Sequence, residues 1–113
     1  MKDLIRDFLR KLPSQYGSLE AIILFGSFVG YEKYRDVDVI LIFKSPSDVL
    51  ITREIARQFR QRFSKGLHAQ LFLSADTKNI KQFLKKAESW EIIYGKRFTS
   101  KHKFVLPDTN ERA

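Results

Sequence analysis

An α/β (α+β) domain, built as a short mixed β-sheet flanked by helices, is predicted by two features of the sequence. The first is a set of largely apolar runs of strand length, Leu19 to Phe25, Val37 to Phe43 and Leu67 to Leu73, the first of them near-continuous and of the kind that is buried on both faces. The second is a series of helical-period apolar stripes around and between those runs, at Leu4, Ile5, Phe8, Leu9 and Leu12, then at Ile55, Ala56, Phe59 and Phe63, then at Ile80, Phe83 and Leu84. A strand reached through a helix pairs parallel or joins a mixed sheet.

Each element has a local cause. Residues 2–11 form a packing helix, closed by Pro13 and Gly17. Leu19 to Phe25 is the first strand. Ser27 to Val29 opens a short helix, and Gly30 to Arg35 is a loop made aromatic and basic by Tyr31, Lys33, Tyr34 and Arg35. That loop is either a solvated turn or the approach to a bound triphosphate. Val37 to Phe43 is the second strand. Ser45-Pro46-Ser47-Asp48 reads as the start of a helix reaching about Ser64, with Val49 in its buried stripe and Gly66 as its C-terminal cap. Its other face, with Arg53, Arg57, Arg60, Arg62 and Lys65, is solvated or meets an anionic partner. Leu67 to Leu73 is the third strand. Ser74, Asp76 or Thr77 caps the next helix, whose stripe ends at Ala87. Trp90, Ile92, Ile93 and Tyr94 extend that helix or form a patch facing a partner, with Trp90 expected to be buried. Residues 1–98 are thus expected to form the domain. Residues 99–113 are a polar tail, expected to be partly mobile, in which Phe104-Val105-Leu106 could pair as a short edge strand.

The chemistry concentrates between Leu24 and Phe43. The first strand ends in Gly26-Ser27, eight residues intervene, and Asp36 and Asp38 open the second strand. Residues two apart on a strand share a face, so the two carboxylates stand side by side. Such a pair at the mouth of an apolar segment is costly unless a cation meets it. Hard divalent ions such as Mg²⁺ are held in this way, by one or two carboxylates plus substrate phosphates. Gly26 lets a backbone approach a ligand closely, and Ser27 can cap a helix whose free N–H groups attract phosphate. Together these are the means for phosphoryl or nucleotidyl transfer. The bland alternative is a strand–turn–strand with two solvated aspartates.

Gly-Ser after a buried strand, followed by a short loop and Asp-x-Asp opening another, resembles the nucleotidyltransferase domain of the DNA polymerase β superfamily. It is most similar to the minimal nucleotidyltransferase (MNT) domains, with the ending Ile92-Ile93-Tyr94-Gly95-Lys96-Arg97-Phe98 adding to the likeness. The resemblance implies that Gly26 and Ser27 contact a nucleoside triphosphate, expected to be ATP, and that Asp36 and Asp38 bind Mg²⁺ or Mn²⁺. It implies transfer of a nucleoside monophosphate to an acceptor. In toxin–antitoxin pairs of this kind the acceptor is a small helical HEPN partner. The spacing from Ser27 to Asp36 is slightly shorter than in the family. The family's third carboxylate, on a later strand, is matched by Gln70 in Leu67-His68-Ala69-Gln70-Leu71-Phe72-Leu73. Glutamine ligates a metal weakly and takes no proton at neutral pH. His68, on the same face as Gln70, is the other candidate base, or simply a half-exposed strand residue. A catalytically weak or inactive module that binds nucleotide or a partner is therefore the alternative function.

Composition bounds the rest. At 113 residues the chain makes one domain, without room for a separate substrate domain. With no cysteine and only His68 and His102, thiolate chemistry and Cys/His zinc sites are excluded, and any metal is oxygen-ligated. No run is long enough to span a membrane and no signal-peptide core is seen, so a cytoplasmic protein is expected. A net charge of +8 favours anionic partners, namely nucleotides, nucleic acid or an acidic protein, with specific nucleic-acid binding not favoured on charge alone. An exposed edge strand could also pair two copies into a homodimer.

Overall fold

The computed structural model describes residues 1–46, 50–87 and 89–95. Along the chain these give α1 (Lys2–Arg10), α2 (Leu12–Gln15), β1 (Leu19–Phe25), α3 (Ser27–Gly30), β2 (Val37–Phe43), α4 (Ile51–Phe63), β3 (Leu67–Leu73), α5 (Thr77–Lys86) and β4 (Trp90–Tyr94). The sheet runs β3-β2-β1-β4. β1 is antiparallel to both β2 and β4, whereas β2 and β3, joined through α4, are parallel. This is the mixed sheet that the sequence predicts.

The apolar runs alternate between two cores, as a pleated strand requires. Leu24, Val37, Val39, Leu41 and Phe43 pack with Ile5 and Leu9 of α1, Phe28 of α3, and Ile55, Phe59 and Phe63 of α4. Ala21, Ile23, Ile40 and Ile42 face the other way, onto Ile80 and Leu84 of α5. The ring of Phe8 meets those of Phe59 and Phe63 edge-on at 5.6 and 5.7 Å, joining α1 to α4. Among the described residues no helix is long and apolar enough to cross a membrane.

Several boundaries differ from expectation. The first helix ends at Arg10, one residue short of the expected Lys11, and Pro13 does not close it but sits inside α2, at the start of a helical turn where its missing N–H costs nothing. The helix expected from Ser45-Pro46 begins only at Ile51; Val49 lies outside the described residues. Its C-cap is Ser64, which takes the left-handed conformation (φ 57°) and donates its N–H to the Arg60 carbonyl. Gly66 is therefore not the cap. Trp90 to Tyr94 neither extends α5 nor forms a free patch: the segment is the edge strand β4, half-buried against β1. Residues 96–113, including Phe104-Val105-Leu106, lie outside the described residues.

A clamp fixes that edge strand. Arg6 of α1 grips Glu91 of β4 in a two-pronged ion pair, Nε–Oε2 2.8 Å and Nη2–Oε1 3.0 Å. Hydrogen bonding to Glu91 raises the Arg6 pKa against the opposing effect of burial. The pair is half-buried, between the exposed ion pairs that contribute little and the charge-assisted bonds that contribute more. Glu91→Gln is expected to lower unfolding free energy by about 1 kcal/mol, read as a lower urea midpoint at unchanged m-value.

Candidate active site

The end of the sheet where β1 stops and β2 starts carries the charged cluster. Asp38 lies directly between Phe25 of β1 and His68 of β3 in the strand register. Asp36 immediately precedes β2. Both carboxylates meet the same imidazole: His68 Nε2 is 3.7 Å from Asp36 Oδ2, and Nδ1 is 3.6 Å from Asp38 Oδ1. The two aspartates thus share a face, as their spacing predicts. Partial burial, and the neighbouring Asp36 charge after it, push the Asp38 pKa up, while His68 pulls it down. Two anions are held together here at an electrostatic cost.

The glycine–serine turn is part of the same cluster. Gly26 has φ 78° and ψ −153°, a region that is essentially glycine's alone. A Cβ on it would come within 2.6 Å of Asp38 Oδ2. Gly26, not Ser27, is the N-cap of α3, and no side-chain cap bond is made; the expected cap role of Ser27 does not hold. The glycine supplies the non-helical entry, which leaves Ser27 as the first helical residue. Its N–H and that of Phe28 belong to the first turn and have no acceptor within the helix. Gly26, Ser27, Gly30, Tyr31 and Ser89 line a cleft of about 240 Å³ beside the turn.

The loop after α3 is held mainly from beneath. Lys2 Nζ donates to the carbonyls of Phe28 and Tyr31, at 2.6 and 2.7 Å. The Tyr34 ring packs edge-on against Phe28 at 4.8 Å, with Lys65 Nζ 4.7 Å from its centroid. Tyr34 is therefore a packed strut, while Tyr31 is exposed beside the cleft.

On β3, Gln70 pairs with Ile40, one step further along the same face than the Asp38–His68 pair. It is exposed, with no hydrogen bond to either aspartate among the described residues. His68, by contrast, touches both. A second glycine, Gly66, expected from the sequence as a helix cap, belongs to this cluster instead. Its φ is not left-handed, so conformation does not require glycine there; space does. A Cβ would lie 2.8 Å from Asp36 Oδ1 and 3.1 Å from Arg60 Nη2. Each aspartate thus rests against a glycine, Asp38 over Gly26 and Asp36 over Gly66. Because the crowded atoms are ends of mobile side chains, Gly66→Ala is expected to change stability by no more than about 0.5 kcal/mol. A crystal structure of the variant should show Asp36 and Arg60 displaced.

No protein-family model matches the chain, and no curated protein matches it by sequence. Its fold has relatives among solved structures. A chain of the tri-AMPylated Shewanella oneidensis HEPN toxin in complex with MNT antitoxin aligns with a TM-score of 0.59 over 86% of this chain and 75% of that one, at 22% identity. A toxin–antitoxin complex with AMP-PNP aligns at 0.57, over 80% and 73% of the two chains, at 21% identity. The toxin–antitoxin MntA–HepT aligns at 0.55, over 84% and 74%, at 19% identity. By these likenesses the chain has the fold of chains found in MNT-type toxin–antitoxin complexes.

Proposed function

We propose that this domain transfers a nucleoside monophosphate from a nucleoside triphosphate, ATP by preference, to a hydroxyl on a protein partner, with Asp36 and Asp38 holding Mg²⁺ or Mn²⁺. The observation that carries this reading is the placement of the Asp38 carboxylate against Gly26 with Asp36 beside it. Two crowded carboxylates form a donor set suited to a hard divalent cation. Among the described residues no group of three His, Cys, Asp or Glu side chains is disposed to hold a metal by itself, which suits a site completed by phosphate oxygens. When bound, the metal supplies positive charge against the charge that develops on the α-phosphate and the departing pyrophosphate.

The chain's own groups have separate tasks. The first-turn N–H groups of Ser27 and Phe28, with the Ser27 hydroxyl, hold phosphate over the cleft. Asp36 and Asp38 would hold the divalent cation against the reacting phosphate. The acceptor oxygen bonds to the α-phosphorus as the bond to the β-phosphate's bridging oxygen breaks. Gln70, matched to the third-carboxylate position by the family resemblance, can orient the acceptor but takes no proton; the hydroxyl proton passes to His68, the basic side chain within reach of the pair. The structural neighbours support nucleotide use and a helical HEPN-type partner, since one is a complex with AMP-PNP and another pairs an MNT antitoxin with an AMPylated HEPN toxin.

Calorimetry with ATP, with and without Mg²⁺, and transfer from ATP labelled at its α-phosphate to a co-expressed helical partner test this. Metal-dependent binding and labelled partner are expected. Binding without transfer reduces the domain to a binding module, and no binding removes the reading.

A further inference from the structure

Among the described residues, most cations of α4 and the turn after it are occupied; Arg53, at the far end of the helix, and Arg60, beside the site, are not. Arg57 pairs with Glu54, Arg62 lies over the Phe63 ring, and Lys65 is engaged by the Tyr34 carbonyl and ring. Arg60 makes no ion pair among the described residues. Yet its Nη2 and Asp36 Oδ1 both crowd the space over Gly66 where a side chain would sit. Gly66 needs no glycine backbone, so its bare Cα serves to let this exposed guanidinium reach the aspartate cluster.

We propose that Arg60 binds the acceptor by gripping a carboxylate next to its hydroxyl, so that the domain modifies an acidic protein segment. This rests on the transfer reading above only for the role of acceptor. The proposed phosphate-holding turn lies over β1, on the Asp38 side; Arg60 stands over Gly66 at the start of β3, on the Asp36 side. A molecule entering from that side is the second reactant, and it meets Arg60 before it meets the carboxylates. A planar guanidinium matches one carboxylate through two parallel hydrogen bonds. Nucleic acid fits this flank less well, because a phosphodiester strand wants a row of free cations and open aromatic faces. Here the next cation is tied to Tyr34 and the Tyr34 ring is packed, so neither a row of free cations nor an open stacking face stands beside Arg60. The net charge of +8 draws an acidic segment in.

The test uses two fluorescent synthetic peptides, a tyrosine flanked by glutamates and the same tyrosine flanked by lysines. Their binding to the full chain is followed by anisotropy at fixed salt. The wild-type protein is expected to bind the acidic peptide roughly tenfold more tightly than the basic one. Arg60→Gln removes that preference, Arg60→Lys keeps most of it, and Arg60→Glu reverses it. Equal binding of the acidic peptide by wild type, Arg60→Gln and Arg60→Glu overturns the proposal, as does the absence of any preference in the wild type. ATP titrations on the same proteins separate the two ideas: an Arg60-dependent preference without ATP binding sinks the transfer reading and leaves the peptide site standing. Circular dichroism of each variant establishes that it is folded.

Discussion

Asp38→Asn is expected to cut nucleotide transfer by roughly 10²–10³-fold or more while making the folded protein more stable near neutral pH. The two effects have one cause. In the native state the Asp38 carboxylate is partly buried and faces the Asp36 charge, so its pKa lies above the ordinary value of 3.8, with His68 offsetting only part of this. An acid whose folded pKa is raised binds its proton more tightly when folded. Its contribution therefore favours the native state below the unfolded pKa and is lost as pH climbs through the raised folded value. At about pH 7 the wild type carries the full cost of the ionised pair and the amide variant does not. The variant's advantage in melting temperature should be complete near neutrality and shrink on acidification, disappearing below the ordinary aspartate pKa. An amide lacks the charge that a divalent cation requires, so transfer from α-labelled ATP and metal-dependent ATP binding should fall together. Fully retained transfer would remove Asp38 from the site. A loss of stability at pH 7 would contradict the crowding seen here.

How much of this was legible without coordinates depended on whether the cause was local. β1 and β2 end where their apolar runs end, because runs rich in β-branched residues and buried on both faces carry their own boundaries, and β3, with His68 and Gln70 exposed, also takes its expected bounds. The parallel pairing of β2 with β3 followed from the helix between them. The joint presence of Asp36 and Asp38 followed from strand periodicity. β4 was not legible, because Trp90-Glu91-Ile92-Ile93-Tyr94 shows no alternation and becomes a strand only by pairing with β1, some seventy residues earlier. The short α2 around Pro13 and the cap at Ser64 were hidden for a related reason. Proline and glycine suggested plain helix stops, whereas Pro13 begins a turn of its own and the chain caps α4 at a serine. Gly66 shows the limit most sharply. As a letter after Lys65 it looked like a helix terminator; only the approach of Arg60 and Asp36 from two other elements reveals why it is bare. The same holds for His68 and Gln70. Alternation placed both on one face, but only the register shows that His68 sits beside Asp38 and Gln70 one step beyond.

Gly26→Ala is expected to strain the fold and displace a carboxylate of the candidate site at the same time. The backbone at Gly26 occupies φ 78°, ψ −153°, where a side chain brings strain of about 1–3 kcal/mol, against a total stability of roughly 5–15 kcal/mol for a domain of this size. The added Cβ would also stand 2.6 Å from Asp38 Oδ2. That oxygen can swing away, so the collision is relieved by moving Asp38 rather than by unfolding the sheet. Strain therefore appears in the melting temperature and displacement appears in function. Relaxing the turn would also disturb the contacts that leave from it, since Gly26 donates its N–H to Ser89 and accepts from Val29 and Gly30. Gly17→Ala is the matching control: nothing lies within 4 Å of its Cβ position and its φ is not left-handed, so it should be neutral or stabilise by about 0.4–1 kcal/mol. With both variants in one denaturation series, a fall of a few kcal/mol at Gly26 and none at Gly17 marks the turn as the strained element. Metal-dependent ATP affinity should then drop in Gly26→Ala even at temperatures where the variant is fully folded. A Gly26→Ala protein that melts and binds ATP as the wild type does would mean that the turn is not the phosphate-holding element.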